Sequence, residues 1–392
     1  MNNSFYIAWR YLQFHWGKTL LLILSISLVI FIPLGLNHLV NKGSEDLMAR
    51  AEKTPLLVGA PGSETELSLS SLYFNKPKNQ PVMFREVEKI KEQQLGKPIP
   101  LNIEYQVKEQ PIVGTTPDYF EFRDLSLAEG RKMAILGECV LGAEAARKLN
   151  AQVGSSIISS PSGAFDVAGS FPLKMNIVGI LEETGTSDDE AVFTDIKTSW
   201  VISGKAHGHQ DLQQVENDSL LLAKDETQAV ASPAVLSYTE ITPENINSFH
   251  FHGDPGDYPV NAIIVEPKDR KSALMLRGRY ENEQSSVQML VPEKVISELV
   301  GTMISVRDLL ILAGVIIGIA CLAILAFVFA LSIKLRKAEL QTMKHIGASR
   351  NFIGSVLGLE IGLVLLSAII VSGILTLIMG NFGIPLIEKL IS

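Results

Sequence analysis

The chain has 392 residues, of which 47% are hydrophobic and only 19% are charged, with 34 basic against 42 acidic side chains. This composition excludes a disordered chain, a collagen and, with two cysteines, a disulfide scaffold. The net charge of −8 argues against a nucleic-acid-binding protein. Two classes remain: a large soluble α/β enzyme, or a soluble part joined to membrane spans.

The hydrophobic residues are concentrated in three runs without Asp, Glu, Lys or Arg, at 19–40, 309–333 and 361–387. About 20 apolar residues are enough for a helix to cross roughly 30 Å of hydrocarbon. A buried core helix is the alternative for one such run. A cleaved signal peptide is not expected, because no small-residue cleavage site follows the first run.

Basic residues set the expected orientation of these spans. Arg10 and Lys18 precede the first run without any acidic residue, and the loop after the second run carries Glu339 against five basic residues. These five are Lys334, Arg336, Lys337, Lys344 and Arg350. Because positive loops stay in the cytoplasm, the long segment between the first two runs is expected on the opposite side.

The sequence therefore predicts seven segments in chain order. They are a cytoplasmic membrane-surface helix at 1–18, transmembrane helix 1 at 19–40, an extracytoplasmic domain at 41–305, transmembrane helix 2 at 306–333, a cytoplasmic loop at 334–351, transmembrane helix 3 at 352–380 and an extracytoplasmic tail at 381–392.

The segment 41–305 is long enough for its own core and mixes the patterns of strands and helices. Strands are expected at 111–114, 139–142, 174–181, 191–195 and 261–266. Helices are expected from Pro117, over 143–149, over 269–280 and from Val291 into the second span. The fold class is thus a membrane protein of three α-helical spans, with a large mixed α+β extracytoplasmic domain between spans 1 and 2.

Two histidine pairs with i, i+2 spacing are the candidates for a metal site. They are His207 with His209, and His250 with His252. This spacing can present both imidazoles to a metal such as zinc. A solvated loop is the alternative, since no cysteine lies near either pair.

Asp188, Asp189 and Glu190 form an acidic cluster after a stretch of Glu, Thr and Gly. An acid/base pair or a calcium site is one interpretation, and a solvated turn between two strands is the favoured one. Neither GxSxG nor HExxH occurs, so catalysis by this chain is not expected.

Small residues recur at i, i+4 in the second and third spans, at Gly314 and Gly318 and at Gly354, Gly358 and Gly362. In lipid such stripes let helix backbones approach closely, which suits a packed oligomer. Glu360 lies within the third apolar helix, where a carboxylate is costly and faces protein or water. We expect a packing or interfacial role for Glu360 rather than a proton relay.

Residues 336–350 read as an amphipathic basic helix that continues from the second span. Gly347 can end this helix, and Ser349 can cap the next one. A short helix at the cytoplasmic face is suited to be pushed by a partner protein.

The pattern R-x-x-E-[IL]-x-x-[LM]-K-x-[IL]-G-A-S at 336–349 resembles the signature of the FtsX/MacB-type permease family of ABC transporters. Residues 8–12 are similar to the family's N-terminal membrane-surface helix. Residues 113–120, 127–131, 140–146 and 153–154 are similar to its MacB-like periplasmic core domain. The resemblance covers most of the chain.

The resemblance implies a permease that works as a homodimer or heterodimer with a separate cytoplasmic ATPase in the bacterial inner membrane. ATP and Mg would be bound by that ATPase, so the chain itself would be no enzyme and bind no cofactor directly. A periplasmic adaptor or a substrate protein is a further implied partner. The residues that match the family's coupling segment are Arg336, Glu339, Lys344, Gly347, Ala348 and Ser349.

The family pattern has four spans, whereas this sequence ends about twelve residues after the third, too few to cross again. We therefore expect either a truncated reading frame or a three-span variant.

Three functions remain open. The first is export or extraction of a substrate, and the second is FtsX-like mechanotransmission to an extracytoplasmic partner without transport. The third is a membrane-anchored metal sensor built on the four histidines.

Overall fold

The computed structural model describes residues 3–161, 172–208, 221–224, 229–231, 239–251, 253–281 and 286–391. The chain divides into two units. Residues 1–47 and 298–392 form the first, called the helical unit here, and residues 48–297 form the second, called the sheet unit. Both boundaries fall inside long helices, so the chain passes between the units in helical conformation.

The helices follow one another as α1 Asn3–Phe14, α2 Trp16–Glu52, α3 Glu64–Tyr73, α4 Arg85–Glu92, α5 Asp118–Phe122, α6 Ala143–Leu149, α7 Ile196–Ile202, α8 Arg270–Tyr280, α9 Pro292–Leu335, α10 Lys337–His345 and α11 Arg350–Ile391.

The strands are β1 Leu56–Gly59, β2 Val82–Met83, β3 Gly96–Val107, β4 Gln110–Thr115, β5 Leu127–Gly130, β6 Glu138–Leu141, β7 Ser156–Ile158, β8 Ser160–Pro161, β9 Leu173–Leu181, β10 Val192–Asp195, β11 Ala206–Gly208, β12 Leu221–Lys224, β13 Ala229–Ala231, β14 Thr239–Glu240, β15 Phe249–Phe251, β16 Pro259–Val260, β17 Ala262–Pro267 and β18 Gln288–Leu290.

Three helices, α2, α9 and α11, are long and apolar enough to cross a membrane, which confirms the prediction of three such elements. Each helix is longer than the apolar run that predicts it. α2 continues to Glu52, α9 already begins at Pro292, and α11 runs to Ile391, where the sequence predicts a separate tail from 381. Helical hydrogen bonding thus extends well beyond the hydrocarbon-length runs.

The helical unit is held together by small residues that let α2 approach its neighbours. The Ser27 hydroxyl donates to the carbonyl oxygens of Ile23 and Ala368, at 2.6 and 3.1 Å. A Cβ built at Gly35 would lie 2.9 Å from the Met379 sulfur, so a larger residue at this position would displace the Met379 side chain. Close backbone approach supplies the packing that the hydrophobic effect cannot supply in lipid.

The sheet unit is built on one large mixed sheet of 12 strands among the described residues. Its main path runs β14-β9-β6-β10-β4-β3-β17-β1-β18. The pairs β6–β9, β10–β4 and β14–β9 are parallel, and the other neighbours on this path are antiparallel. The β3 strand joins the two halves, because its first part pairs with β17 and its second part with β4.

The sequence patterns place much of this sheet correctly. The predicted strand–helix steps are confirmed by β4 with α5 and by β6 with α6. The β9 strand shows the expected alternation, since every second residue from Leu173 to Leu181 is buried. The helix that begins after Asp269 is confirmed as α8, capped by the Asp269 carboxylate, which accepts from the Ser272 amide at 2.7 Å.

Between residues 41 and 110 the sequence patterns predict no strand or helix. The long β3 strand carries Pro98 and Pro100, and proline normally argues against a paired strand. α4 is only 8 residues long and rich in charge. Neither element is signalled by periodicity, although both contribute buried residues such as Ile90 and Ile99 to the core.

Candidate functional site

The basic segment after α9 forms a separate short helix rather than a continuation of the second span. α9 ends at Leu335 and α10 begins at Lys337, with Arg336 between them at φ −86° and ψ 10°. The Arg336 amide still donates to the Ser332 carbonyl at 3.1 Å, and the Arg336 carbonyl accepts from the Leu340 amide at 3.0 Å. The helix is therefore interrupted at one residue that is hydrogen-bonded to both α9 and α10.

The Arg336 side chain explains why the break lies there. Its Nη1 donates to both carboxylate oxygens of Glu360 on α11, at 3.1 and 2.9 Å, and its Nε donates to Glu339 at 3.2 Å. The guanidinium carbon lies 3.4 Å from the centroid of the Tyr11 ring on α1. Arg336 thus connects α10 to α1 and α11, and the two side chains of the Arg336–Glu360 pair are only 11% and 7% exposed.

The other residues of the predicted coupling segment lie outside this buried contact. Lys344, Gly347 and Ser349 are exposed, and Ala348 is partly buried. Gly347 adopts φ +97°, a conformation that glycine accepts without steric cost, and it ends α10 as the sequence predicts. The Ser349 hydroxyl accepts from the Phe352 amide at 3.2 Å, which confirms the expected cap of α11.

The glycines of the two stripes face different surroundings. A Cβ built at Gly314 or Gly318 would lie 3.5 or 3.3 Å from Pro33 or Val29 of α2, so these two glycines pack within the chain. A Cβ at Gly354 or Gly358 would meet no atom of the described chain within 4 Å. The same holds for Gly362. α11 thus carries an uncovered glycine stripe on a different face from its buried residues Val356, Glu360 and Val364.

A second buried ion pair, which the sequence patterns do not reveal, lies in the sheet unit at the end of α2. The two terminal nitrogens of Arg50 donate to the two carboxylate oxygens of Asp188, at 2.6 and 3.0 Å. The Tyr119 hydroxyl donates to Asp188 at 2.7 Å and accepts from Arg50 at 3.0 Å. The Arg50 and Asp188 side chains are 7% and 2% exposed. The pair joins α2, α5 and the turn between β9 and β10.

The interpretation of the acidic cluster as a solvated turn is therefore wrong for two of its three residues. Asp188 pairs with Arg50, and the buried Asp189 accepts from the amides of Thr184 and Gly185, at 2.9 and 2.7 Å. Only Glu190 is exposed, where it pairs with Lys148. The error arises because the partner of Asp188 lies 138 residues away in sequence.

The environment of Asp188 keeps it charged. Burial by itself raises the pKa of the carboxyl, but the Arg50 guanidinium and the bonds from Arg50 and Tyr119 outweigh burial and hold the pKa of Asp188 below its usual value. Burial, together with the Asp188 charge, raises the pKa of Tyr119. At neutral pH the cluster is therefore a charged carboxylate, a guanidinium and a neutral phenol.

The predicted metal residues are only partly within the described chain. His207 and His250 are register partners in the antiparallel pair β11–β15, whereas His209 and His252 lie outside the described residues. Among the described residues, no group of three or more His, Cys, Asp or Glu is placed to hold a metal ion. The four-histidine site stays a prediction.

Comparison with known proteins identifies one family. Residues 19–232 match the family model of the MacB-like periplasmic core domain, which is more than half of the chain. No curated protein matches the sequence.

Two solved structures are similar at low identity. The periplasmic region of MacB from Actinobacillus actinomycetemcomitans is 10% identical, with a TM-score of 0.36, and the match covers 64% of this chain and 97% of that one. The extracellular domain of the noncanonic ABC-type transporter YknZ from Gram-positive bacteria is 11% identical, with a TM-score of 0.31 and coverages of 60% and 98%. With TM-scores this low, the family match alone assigns the chain.

We predict that Asp188→Asn lowers the free energy of unfolding of the sheet unit by about 3–5 kcal/mol, because it leaves the Arg50 charge buried without its counter-charge. Urea unfolding of the full chain in detergent, followed by amide exchange in the sheet unit, measures this loss. The matched control is Glu190→Gln in the same turn, whose exposed ion pair contributes under about 1 kcal/mol. Equal effects of the two variants would contradict the assigned role of Asp188.

The lowered pKa of Asp188 also determines how the difference in unfolding free energy between wild type and Asp188→Asn depends on pH. A depressed carboxyl pKa stabilises the fold above the unfolded value, near pH 4, and the contribution is lost as the pH falls through the folded value. The gap in unfolding free energy between wild type and Asp188→Asn should therefore stay constant from about pH 8 to pH 5 and narrow only below about pH 4. A gap that narrows already between pH 7 and pH 5 would show that Asp188 does not have a lowered pKa.

Proposed function

Because the chain belongs to the family of the MacB-like periplasmic core domain, we propose that it is the permease subunit of an ABC transporter of the MacB/FtsX type. The chain is a membrane protein with an extracytoplasmic domain. A separate cytoplasmic ATPase holds ATP and Mg and hydrolyses the nucleotide. The movement that results is passed to the extracytoplasmic domain for export or extraction of a substrate. The family match over residues 19–232 is the observation that carries this proposal.

α10 is the element that the ATPase contacts in this proposal. Two exposed apolar side chains flank the helix, Leu335 at 78% and Ile346 at 79% exposure, and basic residues such as Lys337 and Lys344 lie between them. Exposed apolar residues beside charges are typical of a protein interface. Gly347 gives the turn after α10 its fixed geometry, so the partner meets a defined surface.

Arg336 is the residue through which α10 acts on the helical unit. Because its guanidinium bonds Glu360 and stacks on Tyr11, a displacement of α10 pulls on α11 and α1 at the same time. Glu339 has a lesser role, since its side chain is 63% exposed. We therefore assign transmission to Arg336 and Glu360, and ATPase contact to the residues from Lys344 to Ser349.

The glycine stripe on α11 supports a dimer of permeases. Gly354, Gly358 and Gly362 leave a groove that no described part of the chain fills, and in lipid such a groove allows a second helix to approach closely. The buried face of α11 is already occupied by the helical unit. We therefore assign the second permease chain to this stripe.

We predict that Gly347→Ala reduces co-purification with the ATPase roughly five- to thirtyfold, because the left-handed conformation costs alanine about 1–2 kcal/mol. The measurement is co-expression of the full chain with each candidate ATPase, beginning with any encoded beside it. The control is Gly301→Ala, a glycine in α9 with open space around it, which should leave co-purification unchanged. Failure of any ATPase to co-purify with wild type would contradict the proposed function itself.

We further predict that the double variant Gly354→Leu, Gly358→Leu shifts the purified permease from dimer to monomer, because two leucines fill the groove. Light scattering in detergent gives the protein mass. The control is Ile370→Phe with Leu377→Phe, which enlarges exposed side chains elsewhere on α11. An unchanged dimer mass in the leucine variant would place the dimer interface elsewhere.

A further inference from the structure

α8 has one face fixed in the sheet unit. Leu276 is fully buried in the core that contains Val265 and Trp200, and Ala273 and Tyr280 pack partly against it. The Asp269 cap holds the first turn. The position of the helix is thus set by the sheet, and its opposite face is presented in a defined orientation.

That opposite face combines basic and apolar side chains. Leu274 and Met275 are 59% and 43% exposed, and Arg270, Lys271 and Arg279 are exposed around them. These five residues are called the α8 surface here. The 3.6-residue repeat places the two apolar side chains between the cations on one arc of the helix.

α8 itself carries no acidic side chain to balance the cations of the α8 surface. The sequence of α8, RKSALMLRGRY, contains four basic residues and no acidic one, in a chain of net charge −8. Its cations make no ion pair with any residue in the described ranges of the chain. α4 of the same unit is different, because its glutamates balance its lysines and Lys89 pairs with Glu86 at 2.6 Å.

We propose that the α8 surface docks an extracytoplasmic partner protein that presents carboxylates around an apolar recess. Arginine and methionine are enriched at protein interfaces, with an apolar centre inside a polar rim, and the α8 surface has this composition and layout. Complementary charge would steer the partner, and the Leu274–Met275 centre would fill its recess.

An anionic lipid surface is a poorer fit to the same residues. A helix that lies on a membrane buries a broad apolar face in the headgroup region. The apolar face of α8 is already packed on the sheet through Leu276, and only two apolar side chains are left among the cations. For a protein partner, the two exposed apolar side chains Leu274 and Met275 are enough to fill a small recess.

The test uses the full chain in nanodiscs of neutral phosphatidylcholine and a labelled synthetic probe. The probe is an 18-residue acidic helix with a leucine stripe and glutamates elsewhere, and its binding is followed by fluorescence anisotropy at two salt concentrations. A permuted peptide of the same composition without the stripe separates apolar recognition from charge alone. We expect the permuted peptide to bind at least fivefold more weakly and salt to weaken both.

Two variants locate the contact on the α8 surface. Lys271→Glu with Arg279→Glu should weaken the probe at least tenfold, and Leu274→Ser with Met275→Ser should remove the preference for the leucine stripe. The control is Lys89→Glu with Lys91→Glu on α4, which makes the same charge change on another helix and should leave binding unchanged. Because the substituted α8 residues are exposed, the two α8 variants should retain the thermal unfolding temperature of wild type.

Three results would overturn the proposal. The first is equal binding of both peptides, and the second is equal weakening by the α4 control. The third is protection of α8 from amide exchange in discs with phosphatidylglycerol and no peptide, which would identify a lipid-binding surface instead.

Discussion

A carboxylate inside an apolar helix has to be paired, and in this protein its partner is the residue between α9 and α10. An unpaired Glu360 carboxylate would be costly away from water. It accepts two hydrogen bonds from Arg336. Arg336 reaches Glu360 from the turn where α9 stops and α10 starts. The same guanidinium stacks on Tyr11, so one side chain at the break contacts α1, α10 and α11.

The same logic recurs at the end of α2. Arg50 lies in the last turn of that helix and pairs with Asp188 beside a buried tyrosine. A buried pair of this kind adds little net stability compared with a well-packed apolar contact, but losing one partner is expensive. Such pairs therefore fix geometry more than they stabilise. Each of the two arginines lies at the end of a long apolar helix and bonds a neighbouring element. Arg336 bonds Glu339 of α10, and Arg50 bonds Asp188 in the turn between β9 and β10.

Features that depend on local pattern could be predicted from the sequence. The apolar runs, the alternation of β9, the cap of Asp269 and the turn at Gly347 are each encoded within a few residues. Features that depend on a distant partner could not be. The sequence around Asp188 predicts a solvated acidic turn, and no residue near it in sequence indicates that its partner is Arg50. The two glycine stripes are alike as sequence, yet only Gly318 and its neighbour Gly314 are covered by α2.

If the Arg336–Glu360 pair passes ATPase movement to the extracytoplasmic domain, as we propose, one comparison of two variants shows it directly. The measurement is the ATP-dependent change in amide exchange of residues 48–297 in the reconstituted complex with the ATPase. Glu360→Gln should keep the ATPase bound but remove most of the ATP-dependent change in amide exchange. Glu339→Gln changes the exposed carboxylate that pairs with the same Arg336, and this variant should keep the ATP-dependent change. An ATP-dependent change in Glu360→Gln as large as in wild type would contradict transmission through the Arg336–Glu360 pair.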